Sequence, residues 1–112
     1  MEPRPIELEF TDGRKYTLEF DRSSVAFAEK RGFSGDNFDD MAMNAVTEFF
    51  FLAFRMHHPQ LSKEQTNKIL FDDLGGLSEA MMQRLVELYN KPYLTLTNED
   101  GKPKNPNLTV IM

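Results

Sequence analysis

The chain has 112 residues, with 13 Lys and Arg against 18 Asp and Glu, a formal net charge of -5 and no cysteine. That length supports one domain with a real core, and 40% hydrophobic with 28% charged residues is a globular composition, not a disordered one. The acidic balance argues against a phosphate-neutralising role on nucleic acid, and the lack of cysteine excludes disulfides, thiolate metal sites and a cysteine nucleophile.

The opening "MEPRPIELEF" holds no apolar stretch of the kind a secretion signal needs. Its second half begins an alternating pattern. Ile6, Leu8 and Phe10 share one face of a strand, and Tyr16, Leu18 and Phe20 share one face of a second. Asp12-Gly13 between them supplies the positive φ values of a tight hairpin turn. A hairpin alone is marginal in water, so its apolar face is expected to rest on helices.

Asp21 reads as the N-cap of a first helix over 22–31, with Phe20 and Val25 at staple spacing and Gly32 as its stop. A longer second helix is expected over 38–57, closed by Pro59. Ser62 and Gln65 form a capping box for a third helix that ends near Asp72. Gly75 and Gly76 break it, and Ser78 caps a fourth. That helix carries Met81, Met82, Leu85, Leu88 and Tyr89 on one face and should end or kink near Asn90, because Pro92 lacks an N–H. The expected architecture is α+β and mainly α: a hairpin at about 6–20 and about four helices over 22–96, all within one globular unit 1–97. A polar tail over 98–112 follows, whose last residues, "LTVIM", suit a terminal strand.

The second helix raises the main question. On a wheel of 100° per residue, Phe38, Met41, Ala42, Ala45, Phe49, Leu52, Ala53 and Met56 form a full core stripe. Phe50 and Phe54 lie off it, with Met43 one turn away on the same side and Phe51 flanking. Asn44, Glu48 and Arg55 leave only a narrow polar edge. Two readings stand. Either the helix is central and covered on both sides, by helix one and the hairpin on one and helix four on the other, or Met43, Phe50, Phe51 and Phe54 form an association surface. In the second reading Met81 and Met82 supply the opposite wall of an apolar groove.

No pattern of catalytic residues is present. Adjacent His57 and His58 point about 100° apart on a helix and do not converge on one ion, so they suit the helix C-terminus or the surface. "DNFDDM" lacks the glycine and bidentate glutamate of a calcium loop. P-loop, dinucleotide and nucleophile-elbow motifs are missing. The expectation is a non-enzymatic protein without cofactor or metal. The longest apolar run, 49–54, is far short of the ~20 residues of a membrane span, so the cytoplasm is the expected compartment.

The layout "YTLEFDRSSVAFAEKRGF", "FFFLAFRMHHPQLSKEQTNKIL", "GGLSEAMMQRLVELYNKPY" and "NEDGKPKNPNLTVIM" resembles small phage and prophage proteins of Gram-positive bacteria that are similar in character to tail assembly chaperones. The resemblance implies passive binding. The partner would be the helical tape-measure protein, kept soluble while tail-tube subunits polymerise, and the protein would self-associate in the bacterial cytoplasm. An apolar groove suits an amphipathic helix, and net negative charge keeps a complex soluble. The alternative is a small helix-turn-helix regulator, with helix four as recognition helix. That helix sets Glu79 and Glu87 against Arg84 and Lys91 and offers little to phosphates or base edges.

Overall fold

The computed structural model describes residues 3–32, 43–96 and 103–112. Its elements run in the expected order: β1 (Ile6–Glu9), β2 (Lys15–Leu18), α1 (Arg22–Lys30), α2 (Met43–Phe54), α3 (Lys63–Lys68) and α4 (Glu79–Asn90). A π turn, Ile69–Asp73, prolongs α3, and a 3-10 turn, Lys91–Thr95, prolongs α4. The fold is α+β and mainly α.

β1 and β2 pair antiparallel, Ile6 opposite Leu18 and Leu8 opposite Tyr16. The connection is a three-residue loop and not a two-residue turn. Phe10 N–H donates to the Arg14 carbonyl at 2.9 Å, Gly13 N–H donates to Phe10 at 3.1 Å, and only Gly13 takes positive φ, at 96°. Asp12 instead turns its carboxylate onto the Arg14 N–H and guanidinium, a local bond that any φ-negative Asp can make.

The helix starts are as the sequence indicates. Asp21 accepts from Ser24 N–H at 2.7 Å, and Ser24 Oγ accepts from Asp21 N–H at 2.8 Å. Ser62 and Gln65 form the same reciprocal pair, and Ser78 accepts from Met81 N–H. These bonds use the orphan donors of each first turn.

The ends differ more. α2 stops at Phe54, before the expected 57, where the chain tightens: Arg55 N–H bonds Leu52, three residues back, and a turn closed by His58 N–H on Phe54 follows. Phe38, Met41 and Ala42 of the expected core stripe lie outside the described residues. Met56, also assigned to that stripe, is exposed, since it follows the helix into this turn. The 108–112 strand is absent, and the sheet among the described residues has two strands. Among the described residues of the tail, Leu108 N–H turns back onto the Asn105 carbonyl.

The core gathers around α2. Phe49, Phe50, Leu52, Ala53 and Phe54 are buried, with Leu18 and Phe20 from the hairpin side, Val25 and Ala28 from α1, Ile69 and Leu70 from the π turn, and Leu85, Leu88 and Tyr89 from α4. Each fully buried Val, Leu, Ile or Phe among them contributes about 1.5–3 kcal/mol by leaving water, and the alanines less.

Candidate interaction surface

The phenylalanines of α2 divide into two ring clusters. Phe49 stacks on Phe20 with centroids 5.4 Å apart, and both meet the edge of Tyr89. Phe50 and Phe54 pack edge to face at 5.1 Å, and Phe54 meets Tyr16 of β2 at 5.8 Å. Edge-to-face pairs suit the ring quadrupoles and add to the burial energy. The second apolar face of α2 is therefore covered by β2, where the chain supplies its own aromatic partner.

Of the six residues proposed from the sequence, Phe50 and Phe54 are thus core, at 0% and 1% exposure, and offer no free surface. Phe51, Met81 and Met82 are half-buried and pack against the core margin. Met43 opens α2, and its side chain lies outside the described residues. The wheel placed Phe50 and Phe54 together correctly, as their ring contact shows. It had no means of telling that Tyr16, distant in sequence, packs on Phe54.

Polar contacts fix the helices around this core. Glu48, nearly buried on α2, pairs with Arg31 after α1 and with Lys63 Nζ of α3 at 2.7 Å. Tyr93 Oη donates to Glu29 Oε1 at 2.9 Å and ties the 3-10 turn to α1. Burial raises the Tyr89 phenol well above its usual range, helped by Tyr93. Of the two histidines, expected at the helix C-terminus or the surface, His57 is exposed and His58 is half-buried against β2. His57 meets Glu19 Oε1 at 2.8 Å, and His58 Nε2 accepts from the Thr17 N–H of β2 at 2.9 Å. His58 is therefore neutral, with its proton on Nδ1, and burial followed by the neighbouring His57 lowers its pKa.

What the surface presents is elsewhere. Among the described residues, six of the eight large apolar side chains that are exposed come after α4: Leu94, Leu96, Leu108, Val110, Ile111 and Met112. Leu94 and Leu96 are 74% and 70% exposed. Sequence reasoning passed over them. The signal was Pro92, because the 3-10 turn it opens changes the period from 3.6 to about 3 and rotates later apolar residues off the core face. On α4 the exposed side chains include Glu79, Gln83, Arg84 and Glu87, a face with little to hold a phosphate. Among the described residues no three His, Asp or Glu side chains converge as a metal site, and no helix is long and apolar enough to cross a membrane.

Residues 5–112 match a family described as a domain of unknown function, DUF5055, and the chain belongs to that family. No curated protein and no solved structure matches it.

Proposed function

We propose that this DUF5055 protein is a non-enzymatic assembly chaperone. It binds apolar helical segments of a long partner of tape-measure type and keeps them soluble during phage tail morphogenesis, with the tail-tube protein as a further partner. The observation that carries the reading is the exposure of Leu94 and Leu96 beyond a fully packed aromatic core. A chain that buries four phenylalanine and tyrosine rings at 0–1% exposure has the means to bury two leucines, and leaves them in water. Exposed apolar side chains of this kind mark surfaces that meet other proteins. Leu94 and Leu96 supply the first anchors; half-buried Phe51, Met81 and Met82 are adaptable margins. The net charge of -5 serves the solubility of the complex.

Co-expression with the tape-measure candidate of the same gene cluster tests this. The long protein should become soluble and co-purify with the wild type. Leu94→Asp with Leu96→Asp should abolish capture while leaving the fold and its melting temperature in place. Failure of the folded wild type to capture the partner overturns the proposal. Salt-sensitive binding to duplex DNA instead would favour a regulator.

A further inference from the structure

We infer that the outer edge of β1 takes up residues 108–112 of a second copy as a third strand. The two edges of this hairpin differ. Thr17 N–H points away from β1, since it donates to His58 Nε2, and Phe10 N–H points toward β2, since it donates to Arg14. The antiparallel pattern alternates, so the N–H and C=O groups of Glu7 and Glu9 point outward from β1.

On the β2 side two of the outward N–H groups already have acceptors. His58 takes Thr17 N–H, and the Ala53 carbonyl takes Glu19 N–H at 3.0 Å. On the β1 side, among the described residues, no hydrogen bond reaches the outward groups of Glu7 or Glu9. Pro5, the next outward position, has no N–H, which limits the open edge to about the length of a four-residue strand. Beside this edge runs a trough of about 260 Å³ with Leu8 and Phe10 on one side, Ile69 and Leu74 on the other, and Glu7, Glu9 and Asp73 also in its lining. An unpaired edge with partly apolar ground next to it is a template for strand addition.

The occupant is argued from the other end of the chain. Every residue from Lys104 to Met112 is exposed, and among the described residues 103–112 make no bond to β1. In an extended strand Leu108, Val110 and Met112 share one face and Thr109 and Ile111 the other. The first set continues the Ile6, Leu8 and Phe10 face and meets the trough; the second lies level with Glu7 and Glu9. Charge sets the pairing. Glu7 and Glu9 are both exposed, so two β1 edges repel each other, whereas 103–112 carries Lys104 and no Asp or Glu. An antiparallel third strand brings Lys104 to the Glu9 end. Donor and acceptor are different surfaces, so the contact is head-to-tail and propagates from copy to copy. This goes beyond the partner-binding proposal and does not depend on it.

Light scattering on the purified chain alone, over a range of concentrations, is the test. The wild type should gain mass with concentration in monomer steps. Deletion of 108–112 removes the donor. Glu7→Pro removes an outward N–H that β2 does not use, and so closes the acceptor without breaking the hairpin. Each variant alone should remain a monomer with an unchanged circular dichroism spectrum. Their equimolar mixture should form a dimer and nothing larger, because one intact tail meets one intact edge. A wild type that stays monomeric at every concentration overturns the inference. So does association that survives the deletion. Protected amides over 108–112 in a monomer would assign the edge to the chain's own tail, and that also overturns it.

Discussion

The segment 49–54 and the segment after α4 are both rich in large apolar residues, and the fold treats them in opposite ways. Phe49, Phe50, Leu52 and Phe54 are sealed between Phe20, Tyr89 and Tyr16, while Leu94, Leu96 and Val110 stand in water. Aromatic density therefore does not locate the surface for a partner in this protein. What matters is whether the chain holds a complementary face. α2 has one on each side, in the hairpin and in α4. After Pro92 the 3-10 turn keeps Tyr93 against the core and leaves Leu94 and Leu96 facing outward.

The largest expected effect comes from hollowing out the sealed region. Phe49→Ala and Phe54→Ala should each cost about 3–5 kcal/mol, as transfer energy plus the cavity left behind. Urea titration followed by far-UV circular dichroism reads this. A cost under about 1 kcal/mol for Phe54→Ala alone would break the contrast, because it would place that face of α2 at a surface.

Next is the ion pair that closes the sealed region at its polar edge. Glu48 holds both Arg31 and Lys63, so one carboxylate joins three helical segments. Its side chain is 11% exposed, but those of Arg31 and Lys63 are 46% and 42% exposed. The loss on Glu48→Gln should therefore fall below that of a fully buried pair, at about 1–3 kcal/mol. Denaturant midpoints in low and high salt check it, and the difference should narrow as salt screens the wild type.

His58 gives a smaller effect with a definite sign. Its folded pKa is lowered by burial and by His57, and its Nε2 must be unprotonated to accept from Thr17. The contribution is complete above the unfolded value near pH 6.5 and disappears as pH falls through the folded value. Its size is that of one hydrogen bond, about 1 kcal/mol. His58→Gln keeps an acceptor without the titration. Thermal melts of the two proteins across pH 7 to 4 should converge at the top and separate at the bottom, with the wild type less stable. Equal acid sensitivity would mean that other groups govern the acid limb.

These residues also show how far the sequence could be read. Caps were legible because their partners sit three residues away, as in Asp21 with Ser24 and Ser62 with Gln65. The hairpin faces and the order of elements were legible from period and glycine. The packing of Tyr16 on Phe54, and the reach of His58 to Thr17 across 41 positions, were not, because nothing local encodes a tertiary partner. The terminal strand was misjudged for a related reason. Alternation in "LTVIM" gives a segment the capacity to pair, but a strand exists only where an edge is offered, and within one chain none reaches it.

The smallest effect on stability is expected at the exposed leucines, and it sharpens the comparison most. Leu94→Ser and Leu96→Ser remove apolar atoms that are already largely in water, so each should change stability by no more than about 0.5 kcal/mol. Serine also gives up little in a 3-10 turn, where no helix propensity is at stake beyond the single turn. If these residues act only through a partner, the same changes should leave the urea midpoint in place and sharply reduce capture of the partner. A loss of several kcal/mol would mean that they pack against something within the folded chain, and the contrast between sealed and open regions would then fail at its open end. A change in neither quantity would leave the core intact and withdraw these two leucines from the binding surface, leaving Phe51, Met81 and Met82 to supply its apolar contacts.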